Sequence, residues 1–441
     1  MDAKEYVAVY DEVKADFERT VLDFGLPFEA EESESRVLRS QVASRCGCHC
    51  DNGGASVWRN WISPACVACR TGERTATFFV SLRCSRHCYF CFNPNQEDYE
   101  HWLSHKRDIA AELRAAHSAG ARFDCLAVTG GEPLLFKEDV YAFLAAAREL
   151  YPSAHVRLYT CGDFLDDDCL RELRDHGLRE IRFSVKLDGE EALAAGHART
   201  LEAIERAVAY IPDVMVEMPV GPHDIRAMEE LLVRLDAAGV RGVNLLEFGF
   251  PLHNAEEFAK RGLELRRNPY PVLYNYWYAG GLPISGSEAA CLCLLEFAHE
   301  HGLRLGVHYC SLDNKNTGQI YQQNKGFLTD RRFAAAHAWL DFDGSDYFLK
   351  CLKVAGADAK AMRAWAEGRA AAGTDAEGGR VKLVERDAET GVLSFPRAWL
   401  GETRGSFPGA RLIESLNVVE LDDSGSPRVR EVDARILQEM A

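Results

Sequence analysis

No stretch of this 441-residue chain reaches the roughly 18 uninterrupted apolar residues that a membrane span needs. Its first twenty residues, MDAKEYVAVYDEVKADFERT, have neither the basic start nor the apolar run of a secretory signal. The sequence therefore predicts a cytoplasmic protein with no membrane partner. Positive charge is also short: 51 Lys and Arg stand against 68 Asp and Glu, a net charge of −17. That balance argues against nucleic acid as a partner, because backbone binding rests on Lys and Arg neutralising phosphates. Apolar residues are not short. At 47 % hydrophobic and 10 % aromatic the composition excludes disorder and supports a sizeable core. The length leaves room for two or three domains.

Cysteine is abundant, with fifteen residues. An odd count in a reducing compartment does not suit a disulfide framework, so metal or iron–sulfur ligation is the better expectation. Eight of the fifteen lie between residues 46 and 91. Scattered ones, such as Cys125 and Cys169, read as small buried hydrophobes.

The tightest group is Cys84-Ser-Arg-His-Cys88-Tyr-Phe-Cys91, a C-x3-C-x2-C loop. Three thiolates on one loop can hold three corners of a cubane cluster and leave one iron open. A zinc site with a borrowed fourth ligand such as His87, or a plain electron-transfer cluster, is the competing reading of the spacing alone. The loop follows a β-prone run, residues 75–82. A helical stretch over 104–119 comes next, then a buried strand over 123–129 that ends in Gly130-Gly131-Glu132-Pro133. Paired glycines after a strand let a ligand approach the backbone closely.

The three-cysteine loop after one strand and GGEP after the next resemble the radical S-adenosylmethionine (SAM) superfamily, over roughly residues 75–310. The resemblance implies that Cys84, Cys88 and Cys91 hold a [4Fe–4S] cluster. SAM's amino and carboxylate groups would chelate the fourth iron. Phe90 would pack near the adenine, and Gly130, Gly131, Glu132 and Pro133 would meet the SAM amino group. A reduced cluster would give one electron to SAM, and the resulting 5′-deoxyadenosyl radical would take a hydrogen atom from substrate. An electron donor of flavodoxin or ferredoxin type is the implied partner.

Downstream, strand and helix patterns alternate. Strands are expected at 154–160, 180–187, 213–220 and 241–248, with helices at 168–177, 198–210 and 224–239. Such repetition predicts a parallel sheet with helices outside. Six units would make the partial (β/α)6-type barrel of the resembling superfamily. Barrel ligands sit at the carboxyl ends of the strands, which makes Thr160, Ser184, Lys186, Glu217 and Glu247 candidate cofactor-binding residues. Mutual satisfaction inside the barrel is the other reading of all five.

A third constellation precedes the loop: Cys46-Gly-Cys48-His-Cys50, then Cys66-Val-Ala-Cys69. Five thiolates in this span suit either a structural zinc site or an auxiliary iron–sulfur cluster. Further on, His308-Tyr309-Cys310 ends an apolar run. Cys310 is a candidate hydrogen-atom donor at the barrel mouth, an auxiliary-cluster ligand or a plain buried thiol. Cys291 and Cys293, two apart on a helical stretch, would not share a face.

Cys66-x2-Cys69-x2-Gly72, Asn244-Leu-Leu-Glu247-x6-Asn254, and His308-Tyr309-Cys310-Ser311 with Lys315 and Gln319 are together similar to a pyruvate formate-lyase-activating-like branch. The chain departs from the activating enzymes themselves, which are shorter and lack the cysteines of 46–69.

The expected organisation is α/β: a Cys-rich extension over 1–74, the barrel over 75–310, and a small α+β accessory domain over 311–441. The expected function is hydrogen abstraction from a substrate, with a peptide or protein slightly preferred over a small molecule of metabolite or cofactor biosynthesis. A non-catalytic iron–sulfur or zinc protein is the alternative of another class.

Overall fold

The computed structural model describes residues 1–31, 35–185, 190–274, 281–371 and 381–437. The chain divides into two compact units. One comprises Phe24–Pro269 and Tyr276–Asn316; the other comprises Met1–Asp23, Tyr270–Asn275 and Thr317–Ala441. The division departs from the three consecutive segments expected from the sequence. The first 23 residues join the C-terminal unit, and the cysteine-rich residues 46–69 belong to the same unit as the barrel.

Among the described residues the larger unit carries eleven strands: β1 (His49–Asp51), β2 (Ser56–Arg59), β3 (Thr75–Phe79), β4 (Cys125–Thr129), β5 (His155–Thr160), β6 (Glu180–Phe183), β7 (Asp213–Val220), β8 (Gly242–Glu247), β9 (Gly249–Phe250), β10 (Leu282–Pro283) and β11 (Gly306–Cys310). Nine form one sheet in the order β1-β2-β11-β8-β7-β6-β5-β4-β3. From β3 to β11 every neighbouring pair is parallel. Helices Ile109–Ser118, Lys137–Leu150, Asp167–Asp175, Glu190–Ala207, Ile225–Ala237 and Ser287–Glu300 fill the connections. Parallel strands need such crossovers.

The pattern of each strand sets its two faces. On β5, Val156 and Leu158 enter a core with Phe143, Leu170 and Ile204 from the helices, while His155, Arg157 and Tyr159 alternate onto the other face. That other face is polar on β6 as well, with Glu180 and Arg182. Thr77, Arg157, Arg182, Glu217 and Leu246, from five strands, line one common cavity. The sheet therefore wraps as a partial barrel with an unusually polar interior.

The β1–β2 hairpin is antiparallel and adds to the β11 edge, with His308 opposite Trp58 and Cys310 opposite Ser56. The cysteine-rich segment thus extends the barrel sheet instead of forming a separately stapled domain. Some predicted elements are shorter: the run at 75–82 is a strand only to Phe79, and the helix expected over 104–119 is Ile109–Ser118, with Tyr99–Ser104 a separate helix before it. Arg107 N–H donates to Val80 O between them (2.8 Å), which fixes the break. The helix expected from 168 starts at Asp167, because Asp166 caps it by accepting from Cys169 N–H (2.7 Å).

The second unit is an antiparallel sheet of β12 (Asp341–Phe342), β13 (Leu349–Val354), β14 (Glu385–Arg386), β15 (Leu393–Phe395), β16 (Ile413–Leu421) and β17 (Pro427–Ile436). Helix Gly356–Ala370 packs on it through Met362 and Ala366, against Leu352, Phe395 and Trp399. The N-terminal helix Ala3–Leu22 completes this unit: the Tyr6 and Tyr10 hydroxyls each donate to Glu431 Oε1 at 2.7 Å.

Candidate active site

The segment after β3 is pinned before the cysteines begin. Leu82 N–H and the Ser81 hydroxyl both donate to Trp102 O, at 3.0 and 2.7 Å. The cysteine loop is then tied down at several points. Arg86 grips Asp163 with both arms of its guanidinium (2.7 and 2.5 Å). Asn93 donates to Gly130 O (2.8 Å), and Asn254 to Tyr89 O (3.1 Å). Within the loop, Cys91 N–H donates to Cys88 O (3.1 Å) and Arg86 N–H to Cys84 Sγ (3.4 Å). Cys84, Cys88 and Cys91 are half-buried, and all three line one cavity of about 960 Å³.

The glycine turn lies against this loop. Gly131 N–H donates to Ser81 O (3.0 Å) and Glu132 N–H to Arg83 O (2.8 Å). A Cβ on Gly131 would stand 2.0 Å from Arg83 O, and one on Gly130, where φ is +123°, 2.5 Å from Ser81 O. The glycines are thus required by the backbone leading into the cysteines, a reason that the sequence pattern did not disclose. Glu132 is buried, and its carboxylate accepts from Thr160 Oγ1 (2.8 Å), Leu134 N–H (3.1 Å) and Cys161 N–H (2.7 Å). It locks the end of β4 to the end of β5. Pro133 is buried at the start of a short helical turn and is not among the cavity residues.

Phe90, Gly130, Gly131, Glu132, Thr160, Ser184, Glu217 and Glu247 all line the cavity that holds the three thiols. Phe90 is braced edge-on by Tyr89 and Phe248, with centroids 5.0 and 5.5 Å away. Lys186 lies outside the described residues. Cys310 is buried in β11, but it is not among the cavity residues. Burial pushes its thiol up to about 12, and Asn314 Nδ2 lies 3.2 Å from its sulfur. Glu217 stands in the middle of β7 instead of at its carboxyl end.

Residues 78–235 match the sequence model of the Radical SAM superfamily. The chain carries a radical SAM domain. A protein of Methanocaldococcus jannaschii, named provisionally as a glycyl-radical enzyme activating enzyme, is 26 % identical over 204 residues, covering 45 % of this chain and 53 % of its own. The chain thus spans about half the length of that curated relative. Among solved structures, Streptococcus suis SuiB bound to its precursor peptide SuiA is 17 % identical (TM-score 0.34, 40 % of this chain and 39 % of that one). Coproporphyrinogen III oxidase of Escherichia coli is 16 % identical (TM-score 0.35, 55 % and 57 %).

The donor set fits the groups that a radical SAM domain implies, SAM and an iron–sulfur cluster. Three thiols of one tethered loop face one cavity, and that cavity also reaches the glycine turn and the ends of β5 and β8.

Sequence reasoning missed the charged barrel interior of this radical SAM domain. Arg182, buried, donates to Glu180 Oε1 (2.5 Å), Ser63 Oγ (3.0 Å), Cys66 Sγ (3.3 Å) and Glu217. Burial alone would raise the Glu180 carboxyl, but the Arg182 charge and bonds from His155 and Ser63 hold it down at about 2. Burial likewise opposes ionisation of Glu217. There Arg182, Asn244, Arg157 and Lys315 together outweigh it and hold the group below its ordinary value. The signal was present as alternation: His155, Arg157, Tyr159 and then Glu180, Arg182, Ser184 each put polar residues on one face of a strand otherwise buried. Glu247 belongs to a second buried network. Its carboxylate accepts from Arg266 and, at 2.8 Å, from Leu312 N–H, while Arg266 also donates to Glu288 (2.8 Å) and Arg39 pairs with Glu288 and Asp313.

The five upstream cysteines separate into two groups. Cys46, Cys48 and Cys50 lie at the start of the hairpin, and burial together with the neighbouring Cys46 and Cys50 pushes Cys48 up to about 11. Cys66 and Cys69, on the short helix Pro64–Cys69, belong electrostatically with Cys310 and Arg157. Among the described residues, the set of three or more His, Cys, Asp or Glu ligand atoms within 4.8 Å of one another is His155, Glu180 and Asp213, not a cysteine set. Cys291 is buried and Cys293 exposed on the same helix, as their spacing requires. No helix among the described residues is long and apolar enough to cross a membrane.

Proposed function

We propose that this chain is a radical SAM enzyme in which Cys84, Cys88 and Cys91 hold a [4Fe–4S] cluster and the shared cavity takes SAM and substrate. The observation that carries the reading is the convergence of three loop thiols, the glycine turn and a polar barrel interior on one cavity. When bound, the cluster and SAM supply one-electron reductive cleavage and a carbon radical able to abstract hydrogen. The chain's own residues tether, orient and shield. Arg86, Asn93 and Asn254 hold the cysteine loop, Glu132 holds the turn beneath it, and Phe90, Tyr89 and Phe248 form an aromatic wall against water. Gly130 and Gly131 are assigned to the SAM amino end, and Thr160, Ser184 and Lys186 to its ribose or carboxylate. Glu217 and Glu247 are assigned to the substrate side.

A peptide or protein substrate is favoured, because the matched relative is named for activating another enzyme. A flavodoxin- or ferredoxin-type donor would supply the electron. A second metal group, a cluster or zinc, is proposed on one of the two sets, Cys46, Cys48 and Cys50, or Cys66 and Cys69 with Cys310 beside them.

Low-temperature EPR of anaerobically reconstituted, reduced protein tests the reading. The wild-type signal is expected to shift on adding SAM, and Cys88→Ala to abolish SAM cleavage while the barrel stays folded. A residual signal in the Cys84/Cys88/Cys91→Ala triple variant would report a second cluster, and retained zinc without that signal a structural metal. SAM leaving the wild-type spectrum unchanged would overturn the enzyme reading.

A further inference from the structure

Arg86 stands inside the cysteine loop, two residues from Cys84 and two from Cys88, so its charge cannot leave the neighbourhood of whatever the loop holds. Its backbone N–H donates to Cys84 Sγ, and the residue lines the cavity. Its guanidinium is clamped by the carboxylate of Asp163, three residues past the end of β5. Asp163 Oδ2 also accepts from the Ser85 hydroxyl (3.1 Å) and the Cys161 thiol (3.2 Å). Cys161 N–H is held by Glu132 (2.7 Å) and Gly162 N–H by Thr160 Oγ1 (3.0 Å), so the carboxylate rides on a fixed segment. The Arg86 and Asp163 side chains are only 24 % and 22 % exposed, which leaves their charges less screened than those of a surface pair. Both are ionised. A guanidinium does not deprotonate in proteins. Burial opposes the charge on Asp163, but the bonds from Arg86, Cys161 and Ser85 together hold its carboxyl below its ordinary value. The Cys161 thiol keeps its proton, because burial and then the Glu132 charge push it up. The pair is therefore neutral in sum, with its cation on the cavity wall and its anion off that wall, since Asp163 is not among the cavity residues.

A lone cation in this loop would work against the chemistry. Reduction adds one negative charge to a cluster, and a positive charge beside it favours the reduced form. That raises the reduction potential and makes the cluster a weaker donor to SAM. We propose that Asp163 is a positioning residue that removes this conflict: it orients Arg86 to anchor the loop and cancels its charge, which keeps the potential of the loop's cluster low. The inference rests on the reading that Cys84, Cys88 and Cys91 hold that cluster, and deepens it by naming the residues that set its strength as a donor. Anchoring alone does not call for a matched pair of charges, because Asn93 and Asn254 hold the same loop with neutral amides.

A redox titration of the anaerobically reconstituted protein, followed by the EPR signal of the reduced cluster, separates charge from tether. The Cys84/Cys88/Cys91→Ala triple variant supplies the background of any second cluster. Asp163→Asn leaves the cation uncancelled and should raise the potential. Arg86→Gln leaves the anion alone and should lower it. Each shift is expected to be about tenfold in the ratio of reduced to oxidised cluster, about 59 mV for one electron. The double variant Arg86→Gln/Asp163→Asn, neutral in sum like the wild type, should return close to the wild-type potential. Arg86→Lys keeps the charge without the fork and should stay close to it as well. A tether without electrostatic effect predicts shifts of one sign in both single variants and no recovery in the double variant. Shifts of that kind, unmoved potentials, or Arg86→Lys behaving as Arg86→Gln would overturn the proposal. Iron content is read for every variant. Where Arg86→Gln takes up no loop cluster, a rise in Asp163→Asn beside a constant Arg86→Lys supports the proposal, and any other result overturns it. SAM is added to the wild type in the same series. A spectrum that ignores SAM counts against the enzyme reading, whereas unmoved potentials with the SAM shift intact count against the role of Asp163 alone. No wild-type signal above the triple-variant background would overturn both.

Discussion

Glu180 shows how much one buried side chain can hold. It is buried at the start of β6, and three neighbours donate to it: Arg182, Ser63 and His155. Its carboxyl is held down at about 2 against an ordinary value of 4.5. A depressed carboxylate stabilises the fold above its unfolded-state pKa, and that stability is lost as pH falls toward the folded value. The shift corresponds to about 3 kcal/mol. His308 acts in the same direction, because a histidine kept neutral to about 3 must charge on unfolding once pH drops below 6.5. Urea denaturation of the wild type should therefore show stability declining from about pH 6.5 toward pH 2. In Glu180→Gln, which is less stable at neutral pH, the slope below pH 4.5 should flatten. An unchanged slope in the variant would remove Glu180 from this account. The residues that carry this charge were hard to read from sequence, since Arg and Glu inside a strand usually mark a solvent face. Only their alternation with Val156, Leu158, Ile181 and Phe183 betrays a barrel interior. The cysteine loop and GGEP were readable because their information is local, a spacing within eight residues and a run of four.

At the scale of elements, the turn after β4 and the segment after β3 behave as one piece. Two backbone hydrogen bonds join them, and neither glycine has space for a methyl group. Gly131→Ala must displace Arg83, the residue that precedes the first cysteine. The expected cost is about 1–3 kcal/mol from overpacking, together with a cysteine loop out of register. Its clearest readout is the SAM-induced EPR shift, which should weaken in Gly131→Ala far more than in Gly368→Ala, where an added Cβ meets nothing within 4 Å. Equal effects would mean that the turn has no special hold on the loop. The alternating strands and helices were legible from periodicity, and β5 and β7 fall close to the predicted residues. The β1–β2 hairpin was not legible. Three-residue strands give almost no periodic signal, and its partner β11 lies hundreds of residues away.

At the scale of the whole molecule, the N-terminal helix belongs to the sheet made by the last third of the chain. Ala3 packs with Ala355, Ile413 and Ala434, and Tyr6 and Tyr10 reach Glu431. A protein beginning at residue 24 should lose this cover. By calorimetry the C-terminal unit should melt roughly 5–10 °C lower, while the SAM-dependent EPR signal of the barrel unit persists. Loss of both together would show that the units do not fold as separate bodies. Domain boundaries read along the sequence could not anticipate this, because a cut in composition carries no record of which distant surface a helix will cover.

The placement of the hairpin also has a meaning in time. Ser56 on β2 meets His308 on β11, 252 residues later in the chain. At translation rates of about 5–20 residues per second, the edge that receives the hairpin emerges roughly 10–50 s after the hairpin does. Throughout that interval Cys46, Cys48 and Cys50 belong to a nascent segment with no sheet to join. The growing chain thus presents all three thiols to whatever guards or loads them, whereas in the finished fold Cys46 is buried, Cys48 half-buried and Cys50 still exposed.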